Sequence, residues 1–141
     1  MGFLDSLVKG GKEETEVPQS NAPFKVQISF APLRLSAMKD NKVHMIVKVS
    51  NLTNDTQLVS LDAQLPQNRL IGFDATCIHK NIEKKVGEVP VGGTSEISIP
   101  IWGNNQTKEG NYDIQISIYS HYLDYKKVLN SMRKNMTLRV V

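Results

Sequence analysis

The sequence lacks several features that mark secreted or membrane-spanning proteins. It contains a single cysteine, Cys77, so it can form no internal disulfide, a bond that secreted all-β domains of this size often use. Its apolar runs are only a few residues long, whereas a membrane-spanning helix needs about 20. The first nine residues have neither the basic region nor the long apolar stretch of a secretory signal. We therefore expect a cytoplasmic protein.

The composition is that of one folded domain with an uneven distribution of charge. Hydrophobic residues make up 40% and charged residues 22% of the 141 positions, which is enough for a single substantial core. Residues 1–23 carry more acids than bases, while residues 126–141 carry five cations and no acid. Such cations could attract phosphate or anionic lipid, but we interpret them as the protection of an edge strand. We expect no nucleic-acid partner.

The first 23 residues predict a short amphipathic segment followed by a flexible acidic linker. On a helical wheel the apolar residues of segment 2–9 share one side, and we expect them to form a membrane or partner anchor. These residues are Phe3, Leu4, Leu7 and Val8. Two turns of helix are marginal in water, so a helix folded back on the domain and a disordered arm remain alternatives. Gly2 and Ser6 also fit the pattern for N-myristoylation.

Residues 24–141 predict an all-β domain. Residues 112–118 alternate apolar and polar side chains, which is typical of a half-buried strand. Similar alternation predicts strands at 24–30, 43–49, 59–65, 97–101 and 136–140. Short strands are expected at 70–73 and, less clearly, at 75–79. About seven strands separated by turns, with little helical periodicity, favour an antiparallel two-sheet sandwich.

Two stretches of this domain have no clear pattern. Residues 82–89 are charged and poorly patterned, and we interpret them as a connection. Residues 125–134 have apolar side chains at helical spacing, so a short helix is a possibility there, and continuation of the last strand is nearly as well supported.

Three motifs in residues 24–141 resemble those of immunoglobulin-like accessory domains of the CARDB and NEW3 type, which are built on a fibronectin-like sandwich. They are Val49-Ser50-Asn51, the pattern G-x-V-P-x-G-G-T at 87–94, and K-x-G-x-Y-x-I-x-I at 108–116. The resemblance implies that Tyr112 is a tyrosine corner, with its hydroxyl bonded to backbone. It also implies adhesion, recognition or assembly without catalysis. The chain lacks the paired cysteines of antibody-type domains.

The residues with reactive side chains do not form a recognisable catalytic motif. Cys77 and His79, with His44 and His121, could in principle supply one thiolate and three imidazoles to zinc or copper, the alternative of a small metalloprotein. A triad of Cys77, one of these histidines and Asp74 or Asp124 can also be composed, but nothing in the sequence brings its members together. We interpret all of them as unconnected residues, and we expect no enzyme activity, metal or cofactor.

Four N-x-T sequons open a second functional alternative. They lie at Asn51, Asn54, Asn105 and Asn135. They would be used only if the chain were exported, as an adhesion domain with glycans on its turns. Polar turns rich in Asn and Thr produce such triplets by chance, and this is the interpretation we favour.

The loop after the clearest strand is the best candidate for a partner-binding site. Its polar and aromatic residues are His121, Tyr122, Asp124, Tyr125, Lys126 and Lys127. Loops at the end of a sandwich commonly contact partners, and tyrosine suits recognition. The alternative is that the tyrosines cap the core and the histidine pairs with the nearby aspartate. The sequence thus predicts a non-catalytic binding or scaffold module, with the partner and the oligomeric state unidentified.

Overall fold

The computed structural model describes residues 23–141, and these residues form eight strands. The strands are β1 (Phe24–Ala31), β2 (Asn41–Asn51), β3 (Gln57–Gln64), β4 (Ile71–Gly72), β5 (Asn81–Val89), β6 (Thr94–Gly103), β7 (Gly110–His121) and β8 (Val128–Val140). The described residues contain no helix that is long and apolar enough to span a bilayer. The predicted N-terminal anchor lies outside the described residues.

The strands form two four-stranded antiparallel sheets. The order in the first sheet is β1-β2-β6-β4, and the order in the second is β5-β3-β7-β8. The chain crosses between the sheets at each connection from β2 to β7, and it stays within one sheet between β1 and β2 and between β7 and β8. This arrangement confirms the predicted immunoglobulin-like sandwich, with eight strands where about seven were expected.

The core is built from the apolar half of each alternating strand. On β7 the side chains of Tyr112, Ile114, Ile116 and Ile118 are buried, while the odd-numbered positions from 113 to 119 face outward. On β2 the buried positions are the predicted odd ones, 43 to 49. Both sets belong to one hydrophobic cluster, so the two sheets share a single core. The period-2 pattern therefore predicted the inner face of each of these strands.

Residues 82–89 are not a connection, because residues 81–89 form the edge strand β5. It pairs with β3 from Gln57↔Val89 to Gln64↔Asn81, with a shift in register between Val59 and Ser60. At the shift Gly87 has φ 94°, a left-handed conformation that glycine adopts without steric cost. The inward residues Ile82 and Val86 are only half-buried, so the alternation is weak.

Two further expectations about local structure were wrong. Residues 75–79 form a turn in which Cys77 has φ 59°, where a strand was expected. The ammonium group of Lys80 secures this turn by donating to the carbonyls of Arg69, Ile71 and Cys77. The suggested helix at 125–134 is absent, because β8 begins at Val128 and pairs with β7 throughout its length.

The basic strand β8 is an edge of the second sheet, as expected from its charge. It has one neighbour in its sheet, β7, and its end at Val140 pairs with Leu35, in the segment that follows β1. The ammonium group of Lys134 on β8 donates to the carbonyl of Val26 on β1, with an Nζ to oxygen distance of 2.9 Å. A lysine therefore joins the edge strands of the two sheets.

Three connections meet at one end of the sandwich, which we call the hairpin end. They are residues 52–56, 90–93 and 122–127. The described chain also begins here, since Pro23 accepts a hydrogen bond from the backbone N–H of Leu52. Residues 32–40, 65–80 and 104–109 lie at the opposite end.

The side chain of Asn51 holds the hairpin end together. Its amide nitrogen donates to the carbonyls of Asp55 and Val89 at 2.8 and 2.9 Å. Its amide oxygen accepts from the backbone N–H and the hydroxyl of Thr53 at 2.8 and 2.7 Å. Asn51 is buried, and these bonds connect the end of β2 to the end of β5 in the other sheet.

We expect Asn51→Ala to lower the free energy of unfolding by about 2 kcal/mol, because it leaves buried backbone groups without a partner. The matched control is Asn54→Ala, which changes an exposed asparagine in the same connection and should have almost no effect. Urea unfolding monitored by circular dichroism compares the two. Equal stability of both variants would contradict the role assigned to Asn51.

Candidate functional site

The predicted loop is a tight hairpin between β7 and β8. The backbone N–H of Tyr122 donates to the carbonyl of Lys127 at 2.9 Å, which closes the hairpin. The carboxylate of Asp124 accepts from the backbone N–H of Lys126 at 2.9 Å, and Leu123 has φ 69°. Asp124 therefore stabilises the turn by a hydrogen bond to the backbone two residues further along the chain. In the described structure its carboxylate serves the hairpin itself.

The hairpin concentrates exposed apolar side chains. Tyr122, Leu123, Val128 and Leu129 are each more than half exposed. The other large exposed apolar residues of the described chain are distributed over separate loops, with at most two in any eight consecutive positions. We call residues 122–129 the hairpin tip. Lys126 and Lys127 are exposed within it, so the apolar surface has a basic margin.

His121 and Tyr125 do not belong to this exposed surface. His121 is buried on the outer face of the second sheet, with its Nε2 atom 2.7 Å from the hydroxyl of Ser60. The ring of Tyr125 meets the histidine ring edge-on at 5.2 Å, and the ammonium group of Lys85 lies 5.1 Å from the centroid of the tyrosine ring. His121 thus pairs with Ser60, where the alternative expectation was a pair with Asp124.

Sequence reasoning missed Ser60 because its partner lies 61 positions later in the chain. Both residues occupy outward positions of adjacent strands, where the sequence shows only a polar alternation. The pairing of β3 with β7 brings them together. No local pattern carries this information.

The residues considered for a metal site lie in three separate parts of the described structure. His44 is on the outer face of the first sheet and His121 on the outer face of the second. Cys77 lies in the turn at the opposite end from the hairpin, and its thiol donates to the carbonyl of Trp102 at 3.4 Å. Across residues 23–141 no cluster of three or more His, Cys, Asp or Glu side chains could hold a metal ion.

The side chains of Asp74 and His79 contact each other beside Cys77. The Nδ1 atom of His79 lies 3.0 Å from the carboxylate of Asp74. The hydroxyl of Thr76 donates to the same carboxylate, and this bond is the main reason that the pKa of Asp74 lies well below its ordinary value. The Cys77 thiol is turned to backbone carbonyls, so these residues do not form the triad that can be composed from the sequence.

Tyr112 has the contacts of a tyrosine corner. Its buried hydroxyl donates to the carbonyl of Lys108, four residues upstream, at the start of β7. The guanidinium carbon of Arg69 lies 4.6 Å from the centroid of the ring. Tyr112 thus fixes the residues that precede β7, and its role is to stabilise the fold.

The four sequons differ in their access to solvent. Asn54, Asn105 and Asn135 are exposed. Asn51 is buried, and both atoms of its amide group are used in hydrogen bonds. In the folded protein, therefore, the sequon at Asn51 is not available for modification.

No protein-family model matches the sequence, and no curated protein is similar to it. Among solved structures, the chain is similar to an alkylpurine DNA glycosylase of Pseudomonas fluorescens, bound to DNA containing an abasic site analogue, with 10% identity and a TM-score of 0.50. It is also similar to alpha-2-macroglobulin of E. coli, with 17% identity and a TM-score of 0.53. The ASH or PapD-like domain of human CEP192 gives 11% identity and a TM-score of 0.44 over 95% of both chains.

The first two likenesses cover most of this chain and little of the other protein. They extend over 84% and 85% of this chain but over 30% of the glycosylase and 7% of the macroglobulin. At these identities they show a shared fold alone.

We expect the Cys77 thiol to react slowly in the folded protein. It is buried, and burial raises the pKa of the thiol, so little of the reactive thiolate is present at neutral pH. Labelling with a thiol-specific chromogenic reagent should be at least tenfold slower in buffer than in denaturant, where one thiol per chain should react. Equal rates under the two conditions would contradict this assignment.

Proposed function

We propose that the protein is a non-catalytic binding module, and that the hairpin tip is its contact surface for a partner protein. The observation that carries the proposal is the concentration of four exposed apolar side chains in the eight residues 122–129. Burial of such a side chain is worth about 1.5–3 kcal/mol, so exposing four of them in one hairpin is costly unless a partner covers them.

The chemistry of the hairpin tip suits protein recognition. Tyr122 combines an apolar ring with a polar hydroxyl, a combination that is common at the centres of interfaces. Lys126 and Lys127 lie beside the apolar side chains and remain exposed. A partner with an acidic margin around an apolar patch would match both features, since complementary charge accelerates association and orients the partner.

The backbone of the tip supports this proposal. The hydrogen bonds between Tyr122 and Lys127 and within the turn at Asp124 hold the hairpin closed. A preformed loop loses less conformational entropy on binding than a flexible one. The hydrogen bond of Asp124 thus contributes to binding by fixing the shape of the hairpin tip.

The N-terminal anchor belongs to the proposal as a tether. Phe3, Leu4, Leu7 and Val8 precede the described residues, and the described chain begins at Pro23, at the hairpin end. The segment that precedes Pro23 therefore joins the sandwich at the end that carries the hairpin tip. We place the module in the cytoplasm, attached through this segment to a membrane surface or to a second protein site.

We expect the double variant Tyr122→Ser with Leu123→Ser to lose partner binding while the fold stays intact. Affinity-tagged protein is incubated with extract of the native host, and the captured proteins are compared by mass spectrometry. Loss of two central apolar contacts should weaken capture of the specific partner at least 30-fold. The matched control, Leu33→Ser with Met38→Ser, removes two exposed apolar side chains at the opposite end. Equal capture by both variants would refute the tip as the contact surface.

We expect full-length protein to float with liposomes that contain anionic lipid, and a truncated protein beginning at Ala22 to remain at the bottom of the gradient. The apolar side chains of residues 2–9 supply the membrane contact, so the truncation removes it. Equal flotation of the two proteins, or flotation of neither, would exclude a membrane tether and leave the protein tether.

A further inference from the structure

We propose that the outer face of the second sheet contains a binding site for a guanidinium group, carried by an arginine side chain of a partner. This surface borders the hairpin tip, since Tyr125, Lys126 and Val128 line one of its cavities, but the proposal does not depend on the function proposed for the tip. The site centres on two carboxylates, those of Asp62 on β3 and Glu83 on β5. These residues lie directly opposite each other in the pairing of the two strands.

Two cavities of about 350 and 470 Å³ open on this face. They meet at Asp62, Glu83 and Tyr119, which line both. Volumes of this size are within the range of sites that take small ligands. We call the smaller one the acidic cavity. Its lining also includes Ser60, His121 and Tyr125.

The two carboxylates have the same charge and no counterion in the described structure. Side chains that lie directly opposite on adjacent strands share a face, and like charges in such a pair are destabilising. Neither Asp62 nor Glu83 forms an ion pair with any residue from 23 to 141. One carboxylate oxygen of Asp62, Oδ1, is buried and has no hydrogen-bond partner. A cationic donor would relieve both costs.

The cations near the cavity do not neutralise these carboxylates. Lys85 and Lys126 also line it, but the ammonium group of Lys85 lies 5.1 Å from the ring centroid of Tyr125. Arg133 on β8 lies opposite Ser117, which is itself opposite Asp62, and it lines the larger cavity with both carboxylates. None of these three cations forms an ion pair with Asp62 or Glu83 in the described structure, so the carboxylates keep acceptor positions for a ligand.

His121 provides a second, independent unpaired polar group in the acidic cavity. It is 7% exposed, its Nε2 atom is bonded to Ser60, and its buried Nδ1 atom has no partner. When Nε2 carries the proton and donates it to the serine hydroxyl, Nδ1 is a hydrogen-bond acceptor. An acceptor is the group that a guanidinium N–H requires.

The aromatic walls favour guanidinium over a metal ion or a simple amine. Tyr119 and Tyr125 line the cavity beside the carboxylates, and arginine stacks on aromatic rings while its planar fork bonds carboxylates at two points. A metal site is not supported here, because the residues from 23 to 141 contain no group of three or more His, Cys, Asp or Glu side chains that could hold a metal ion. The geometry thus selects an arginine side chain.

The test is an NMR titration of the full-length ¹⁵N-labelled protein at low salt with N-acetyl-arginine amide. We expect saturable shifts confined to β3, β5 and β7, and no saturable shifts with N-acetyl-citrulline amide, which has the same shape without the charge. Asp62→Asn should weaken binding about tenfold or more, as expected for loss of a charged hydrogen-bond acceptor. Glu88→Gln, which changes an exposed acid on β5 outside both cavities, should leave binding unchanged.

Stability separates a binding role from a structural one. If Asp62 serves a ligand, Asp62→Asn removes a repulsion in the free protein, and its melting temperature should stay equal or rise by a few °C. A lower melting temperature would show that the carboxylate serves the fold and would overturn the proposal. Absence of saturable shifts with the arginine probe, equal shifts with the citrulline probe, or unchanged binding by Asp62→Asn would also overturn it.

Discussion

The hydrogen bonds of one amide side chain hold together the end of the sandwich on which its proposed function depends. Asn51 lies where the chain leaves the first sheet, and it bonds the carbonyl of Val89 where the chain leaves the second. Residues 52–56 and 90–93 are fixed relative to each other by this contact. This chain has a single cysteine, so no internal disulfide can connect the loops at the hairpin end. The hydrogen bonds of Asn51 hold these loops in place instead.

Strands with strong apolar alternation were predictable from the sequence, and the edge strand β5 was not. The alternation in β2, β3, β7 and the end of β8 predicted which side chains enter the core, because the apolar residues of each strand lie on the one face that is buried between the sheets. In β5 the inward residues Ile82 and Val86 are only half-buried, and four of the nine residues are charged. An edge strand has little apolar contrast between its faces, so its pattern resembles that of a connection.

The hairpin tip was predictable from the sequence, and the acidic cavity was not. The hairpin tip is a continuous stretch, and its aromatic and basic residues are visible in the sequence. The cavity is assembled from Asp62 and Glu83, which lie 21 positions apart, and from Ser60 and His121, which lie 61 positions apart. Strand pairing creates these contacts, and pairing is a property of the whole sheet. Tyr125 shows the limit of local reasoning, since it lies within the hairpin tip in sequence yet its ring packs against His121.

The contact of Lys134 with Val26 bears on how the protein avoids self-association. An immunoglobulin-like sandwich has open sheet edges, and an extended neighbour can extend either sheet through free backbone groups. The lysine sets its charge against the backbone of β1, where its ammonium group donates to the carbonyl of Val26. A second strand approaching β1 would have to displace that charge and leave it without its carbonyl partner. Pairing of copies edge to edge into a continuous sheet is therefore opposed on this side by one side chain. Ordering that lysine costs only the conformational entropy of a single side chain.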